Sequence, residues 1–227
     1  VAGWVERVGP VLEQTVATLA DSLSNAQRQP VENPAGNLLA DAQRWATHAQ
    51  VGLVNNGSLR RSLPAGPASY GLLYEFQPFQ NELVLLHMDG ALLREALEFG
   101  LTDQGQPWIH LSGLQVEVDP TRPRGERILR MVRTGNGPDW TPGTEVAPGD
   151  PIRVGTTEFL ALGGDGFTLL TRARLERTGR VDVDALMDYL QALGVDAVWL
   201  SPWQTGVDEH LDAAGYHGYW PQDFLGV

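Results

Sequence analysis

Thr156-Thr157-Glu158-Phe159-Leu160-Ala161-Leu162-Gly163-Gly164-Asp165-Gly166-Phe167 is the stretch from which the fold is read. The apolar run Ile152 to Gly155 leads into it and predicts a buried strand. Gly163-Gly164-Asp165-Gly166 then predicts a turn in which several residues take positive φ without a Cβ clash. Phe159 and Phe167 flank the turn, so an aromatic ring, a carboxylate and bare backbone lie close together. A ligand with one flat face and several hydroxyls could use all three. The same residues also suit a tight loop between two core phenylalanines. The stretch alone leaves both readings open.

Upstream, Trp4 to Leu23 carries apolar residues at partly helical spacing, broken by Gly9-Pro10. Asn33 suits a helix N-cap and Pro34 the first helical position. Leu38, Leu39, Ala42, Trp45 and Ala46 then form one face of a helix reaching about His48. Val51 to Val54 reads as a short strand. It runs into Asn55-Asn56-Gly57-Ser58-Leu59-Arg60-Arg61, a turn with two amides and two guanidinium groups. Pro64 to Tyr70 reads as loop. Leu72 to Phe76 and Leu83 to His87 are strand-like apolar runs around Gln77-Pro78-Phe79-Gln80-Asn81. Asp89-Gly90 opens a helix with Leu92, Leu93, Ala96, Leu97 and Phe99. Leu114, Val116 and Val118 alternate with polar residues and predict a half-buried strand, returned by Ile128 to Val132 as a hairpin. Thr134 to Asp150 is rich in Gly and Pro and reads as a surface loop. Asp182 caps a last helix with Val183, Leu186, Met187, Leu190 and Leu193 inward.

The 227 residues suit one large domain or one domain with an appendage. Hydrophobic residues make up 42% and charged residues 19%, which suits a packed core. A formal net charge of -12 excludes the broad basic surface that nucleic acid requires. Without cysteine there are no disulfides and no thiolate metal sites. No apolar run approaches the ~20 residues of a membrane span. No signal peptide is read at the start, and Val1-Ala2-Gly3-Trp4-Val5 resembles a beginning inside a larger protein.

Asn55 to Arg60, Pro78 to Asn81 and Phe159 to Asp165 each follow a strand-like run. They are therefore expected to meet at strand ends, where α/β-type sheets place ligands. Two rings there could sandwich a nucleobase, each stack contributing roughly 1–3 kcal/mol. Arg60 could hold a phosphate through its planar fork. Asp165 could accept from ribose hydroxyls. Each residue also has a plainer role, Arg60 as a solvated cation and Phe79 as core. Convergence decides between the two.

Glu32-Asn33-Pro34-Ala35-Gly36-Asn37-Leu38-Leu39-Ala40-Asp41-Ala42, Asn55 to Arg60, Pro78-Phe79-Gln80-Asn81 and Phe159 to Phe167 occur in this order. Together they resemble the C-terminal domain of the 5′-nucleotidase family, which includes bacterial periplasmic UDP-sugar hydrolases and ecto-5′-nucleotidases. The resemblance covers about residues 1–192. It implies an α+β fold, a four-layer α/β/β/α domain that binds nucleotide or nucleoside. It also implies that Phe79 and Phe159 stack on the base. Asn55, Gly57, Arg60, Asn81 and Asp165 would contact the nucleoside or its phosphate. Two departures stand out. The family usually has Gly-Gly where this chain has Gly57-Ser58, and Ser58 is expected to narrow the loop. Arg28 lies one residue out of step with the family's arginine.

In such enzymes an N-terminal metallophosphatase domain binds two divalent metal ions and generates the attacking hydroxide. Its motifs are missing from this chain. Asp208-Glu209-His210 matches one of them as a tripeptide but lacks every companion. The resemblance therefore implies a substrate-specificity domain with no metal of its own. Its partner would be the metallophosphatase domain, and its location the periplasm, cell envelope or exterior.

Tyr189 to Pro202 and Gly215 to Phe224 resemble the alpha-amylase superfamily: a first barrel helix, a second strand and the loop after it. In that family Tyr219 and Trp220 would stack on a sugar and His217 would line its site. Its catalytic carboxylates come from later strands that are absent here. Residues 193–227 thus read as a short foreign-looking tail. An isolated barrel strand has no sheet to join, so the tail is expected to pack poorly. The alternatives to nucleotide binding are a glycoside-hydrolase fragment and a non-enzymatic binding domain.

Overall fold

The computed structural model of the protein describes residues 8–25, 33–105, 107–134 and 140–193. In chain order its strands are β1 (Thr15–Leu19), β2 (Val51–Asn55), β3 (Gly66–Ser69), β4 (Glu82–Asp89), β5 (Ile109–Ser112), β6 (Leu114–Val118), β7 (Ile128–Arg133), β8 (Pro151–Thr157) and β9 (Arg174–Val181). Its principal helices are α1 (Pro34–Thr47), α2 (Tyr70–Phe76), α3 (Gly90–Phe99), α4 (Glu158–Ala161) and α5 (Asp182–Ala192). Five strands form a sheet in the order β5-β2-β8-β4-β9. β2 and β8 run parallel, and the other neighbours are antiparallel. β1 and β3 form one small sheet and β6 and β7 another. The fold is mixed α/β.

Local chemistry starts α1 where expected. Asn33 accepts from the backbone N–H of Ala35 (2.9 Å) and Gly36 (3.3 Å), and Pro34 opens the helix. Leu38, Leu39, Ala42 and Ala46 are buried, but Trp45 is exposed, contrary to its predicted place on the inner face. Trp45 packs instead beside Tyr189 of α5, with Arg180 over its ring. Glycines let α1 lie directly on the sheet. A Cβ on Gly52 would sit 2.2 Å from the Ala40 carbonyl oxygen, and one on Gly155 would sit 2.2 Å from Thr47 Oγ1. Gly52 and Gly155 are register partners across β2 and β8, so the seat is two strands wide.

The opposite face of the sheet presents Val51, Leu53, Val84, Leu86, Met88, Ile152 and Val154. α3, capped by Asp89 accepting from Leu92 N–H (2.8 Å), buries Leu92, Leu93, Ala96 and Leu97 there. The predicted β6–β7 hairpin packs into the same core. Buried Glu98 pins it, accepting from Ile128 N–H (2.6 Å) and Gly125 N–H (3.1 Å).

Several expectations change. Residues 8–12 are helical, but Thr15–Leu19 is a strand, its β-branched residues suiting extended backbone. Leu72 to Phe76 belongs to α2, whose N-cap Ser69 accepts from Leu72 N–H (3.3 Å). The expected loop Pro64 to Tyr70 contains β3. The loop Thr134 to Asp150 is anchored inward at its described part: Trp140 is buried and donates from Nε1 to the Gly113 and Thr134 carbonyls, each at 3.1 Å. Asp182 is the first residue of α5 rather than its cap, a position held by Val181.

Candidate functional site

Strand register brings the three candidate loops to one end of the sheet. Leu83 pairs with Thr157, Asn55 with Ile109 and Glu82 with Val181. The residues that follow β2, β8 and β9 therefore share an end with those that precede β4 and β5.

The β8 loop turns at α4. Thr157 Oγ1 accepts from Leu160 N–H (3.3 Å), which places Leu160 and Ala161 inward and leaves Phe159 47% exposed. Phe167 is fully buried and meets Phe99 edge to face, with centroids 4.7 Å apart. The two phenylalanines thus divide the two readings of the sequence: one is core and the other faces solvent. Gly163, Asp165 and Gly166 have φ of 95°, 52° and 84°. At Gly164 a Cβ would lie 2.5 Å from Phe159 Cε1, so the ring rests on bare backbone.

The β2 loop and Asp165 are joined directly. Asn55, 3% exposed, donates from Nδ2 to Asp165 Oδ2 at 2.5 Å. Ser58 is buried and donates its hydroxyl to Asn55 Oδ1 at 2.7 Å. A Cβ on Gly57 would come within 3.0 Å of Asn55 Nδ2 and 3.3 Å of Asp165 Oδ2. Glycine therefore keeps that pair uncovered. Ser58 holds Asn55 from within the turn, a bond that sequence inspection missed.

Arg60 and Phe79 form a second group. The Arg60 guanidinium lies 5.6 Å from the Phe79 centroid, and Arg60 N–H donates to the Phe76 carbonyl at 3.0 Å. Phe79 is 50% exposed, which rules out its plainer role as core. Neighbouring Arg61 pairs with Glu75, whereas Arg60 pairs with no carboxylate among the described residues. A cation stacked on a ring in this way is free to meet an anion.

Asn81 faces the start of α5. Its Nδ2 donates weakly to Asp182 Oδ2 (3.4 Å), and its carbonyl accepts from Asp182 N–H (3.0 Å). Burial pushes the Asp182 carboxyl up to about 6. Trp108, 43% exposed, adds a third aromatic at this end, and its carbonyl accepts from Asn56 N–H (3.2 Å). The sequence did not single it out, because the short edge strand after it, Ile109-His110-Leu111-Ser112, is not an apolar run.

His110 lies under α1, where burial lowers its imidazole to about 4 and Nε2 has no hydrogen-bond partner. Among the described residues no group of three His, Cys, Asp or Glu side chains could hold a metal ion. Arg28, His210, His217, Tyr219 and Trp220 lie outside the described residues, as does the whole tail from 194. No helix among the described residues is long and apolar enough to cross a membrane.

Residues 12–172 match the family described as 5′-nucleotidase, C-terminal domain. An apyrase of Tabanus yao is 31% identical over 150 residues, covering 63% of this chain and 27% of the apyrase. The trifunctional nucleotide phosphoesterase YfkN of Bacillus subtilis is 28% identical over 186 residues, covering 77% of this chain and 12% of that protein. Among solved structures, the 5′-nucleotidase precursor of Thermus thermophilus superposes with a TM-score of 0.75 at 30% identity. It covers 87% of this chain and 40% of its own. The NAD nucleotidase of Haemophilus influenzae shares the fold, with a TM-score of 0.72 at 20% identity over 88% of this chain and 39% of its own. The chain thus spans less than half the length of these relatives.

Proposed function

The chain belongs to the 5′-nucleotidase C-terminal domain family, and from that premise we propose that it binds and selects the nucleoside part of a nucleotide for a phosphoester hydrolase. Phe159 and Phe79 stack on the base. Asp165, held by Asn55 above Gly57, accepts from sugar hydroxyls. Arg60, stacked on Phe79 and with no carboxylate partner among the described residues, meets the phosphate. Asn81 contacts the nucleoside from the start of β4. The observation that carries this reading is the Asn55–Asp165 pair at the sheet end that also holds two half-exposed phenylalanine rings.

In this reading the hydrolytic step belongs to a separate metallophosphatase domain, where divalent metal ions supply the nucleophile. The residues derived above bind and orient; none of them cleaves the ester. The β6–β7 hairpin and α3 would form the outer β and α layers of a four-layer arrangement. A periplasmic or extracellular location goes with the same reading, by family resemblance.

The test is calorimetric titration of the chain, without metal, with adenosine, AMP and UDP-glucose, alongside Phe159→Ala. Binding by the intact chain and its loss in the variant are expected, because a base stack contributes about 1–3 kcal/mol. A folded chain that binds none of the three, or a Phe159→Ala variant that binds as well as the parent, overturns the reading.

A further inference from the structure

Asn55 carries a primary amide in a nearly closed environment. Such an amide has two donors and one acceptor oxygen, and its orientation decides what it offers outward. Ser58 takes the oxygen at 2.7 Å, and Asp165 takes a donor at 2.5 Å. Asp165 itself sits at φ 52° between Gly164 and Gly166, a backbone state that needs support from its surroundings. The bond from Asn55 occupies Oδ2 only. The other carboxylate oxygen, on an exposed residue, remains open to accept from a ligand.

We propose that Ser58 is a positioning residue for this site: its hydroxyl fixes the Asn55 amide, which in turn holds the Asp165 carboxylate aimed at ligand hydroxyl groups. The ligand class this favours is a nucleoside bearing a ribose diol over one that lacks it. The inference rests on the nucleoside-binding reading given above. It adds a residue at a position that was expected only to narrow the loop.

Without the Ser58 hydroxyl, the buried Asn55 oxygen loses its partner. A buried acceptor left unmade is costly, so the amide rotates or draws in water. Asp165 then loses its fixed direction, and discrimination falls more than affinity for the base does.

The experiment compares adenosine with 2′,3′-dideoxyadenosine by calorimetry on the 227-residue chain and on Ser58→Ala, Ser58→Gly and Asp165→Ala. The readout is the ratio of the two dissociation constants, which a general loosening of the fold does not select. The parent is expected to prefer adenosine, and Asp165→Ala to abolish the preference. Both Ser58 variants should reduce it about tenfold, the scale of one charged hydrogen bond. Ser58→Gly keeps the proposal testable if Ser58→Ala does not fold. As a second measurement, the Asn55 side-chain amide signals in the nitrogen–proton NMR spectrum should be distinct and slowly exchanging in the parent and averaged in the Ser58 variants. A preference lost in Asp165→Ala but intact in both Ser58 variants overturns the proposal and leaves the nucleoside reading standing. A parent chain that binds neither nucleoside overturns both.

Discussion

Asn55 and Asp165 lie 110 positions apart in the sequence and 2.5 Å apart in space, amide nitrogen to carboxylate oxygen. The bond closes the β2 loop onto the β8 loop. Asp165→Asn keeps an acceptor, and asparagine tolerates the left-handed backbone there. Asp165→Ala removes the acceptor and leaves a Cβ at φ 52° without local hydrogen-bonding compensation. Denaturant unfolding should show a loss below about 1 kcal/mol for Asn and about 2–3 kcal/mol for Ala. Equal losses would mean that the bond does not hold the loop.

Gly164 bears on Phe159 in a more direct way. A methyl group there would enter the ring at 2.5 Å and approach the Phe159 carbonyl oxygen at 2.6 Å. Gly164→Ala should therefore displace the ring while leaving the core intact. The expected result is a loss of nucleoside affinity comparable to Phe159→Ala, with thermal unfolding shifted by no more than an overpacking cost of about 1–3 kcal/mol. Unchanged affinity would show that the ring's seat on glycine is irrelevant to binding.

The seat of α1 on the sheet gives a paired test. Gly52→Ala drives a methyl group to 2.2 Å from a backbone oxygen of the helix, whereas Gly149→Ala meets nothing within 4 Å. Gly52→Ala should cost about 3 kcal/mol and Gly149→Ala less than about 0.5 kcal/mol in chemical denaturation. Similar values for the two would contradict the close packing of α1.

Buried groups give the stability opposing slopes with pH: the Asp182 and Asp41 carboxyls are both raised by burial, and the His110 imidazole is lowered by it. Asp182 has its carboxyl raised from 3.8 to about 6 by burial, so between those values the folded state holds more protons than the unfolded state. Its contribution is intact below about pH 4 and falls as pH rises towards 6, by about 3 kcal/mol. His110 is lowered from 6.5 to about 4 by burial, so its contribution rises with pH over nearly the same window. Asp182→Asn should make stability rise more steeply, or fall less, between pH 4 and 6.5 than in the parent, measured by urea unfolding at each pH. A slope unchanged from the parent's would reject the assignment.

How much of this was legible in the sequence depended on where each instruction lay. α1 and α3 carry their own starts, Asn33 and Asp89, and an apolar periodicity that needs no partner. β4 and β8 were visible as apolar runs because both lie inside the sheet. β5 and β9 form its two edges and β3 belongs to a two-stranded ribbon, so their sequences lack that signal. The charged run Arg174 to Val181 becomes a strand through its pairing with β4, almost a hundred residues earlier. At the candidate site the loop residues were readable from their chemistry and from the family resemblance. The outward turn of Phe159 required the Thr157 cap, and the grip of Ser58 on Asn55 required the folded turn. Asp182, read as a cap, instead faces Asn81 because β9 delivers α5 to the same end of the sheet.

The strand order has a consequence for synthesis at the ribosome. β8 lies between β2 and β4, yet β2 ends at Asn55 and β8 begins at Pro151. At ~5–20 residues per second, both flanking strands wait several seconds for the strand that separates them. During that interval each presents an unpaired apolar edge, and a direct β2–β4 pairing would have to be undone before β8 could enter. The binding end of the sheet is completed only after vectorial synthesis has passed Asp165, so a chain interrupted before Pro151 has neither its central strand nor its site, and one interrupted between β8 and Asp165 has the strand without the site.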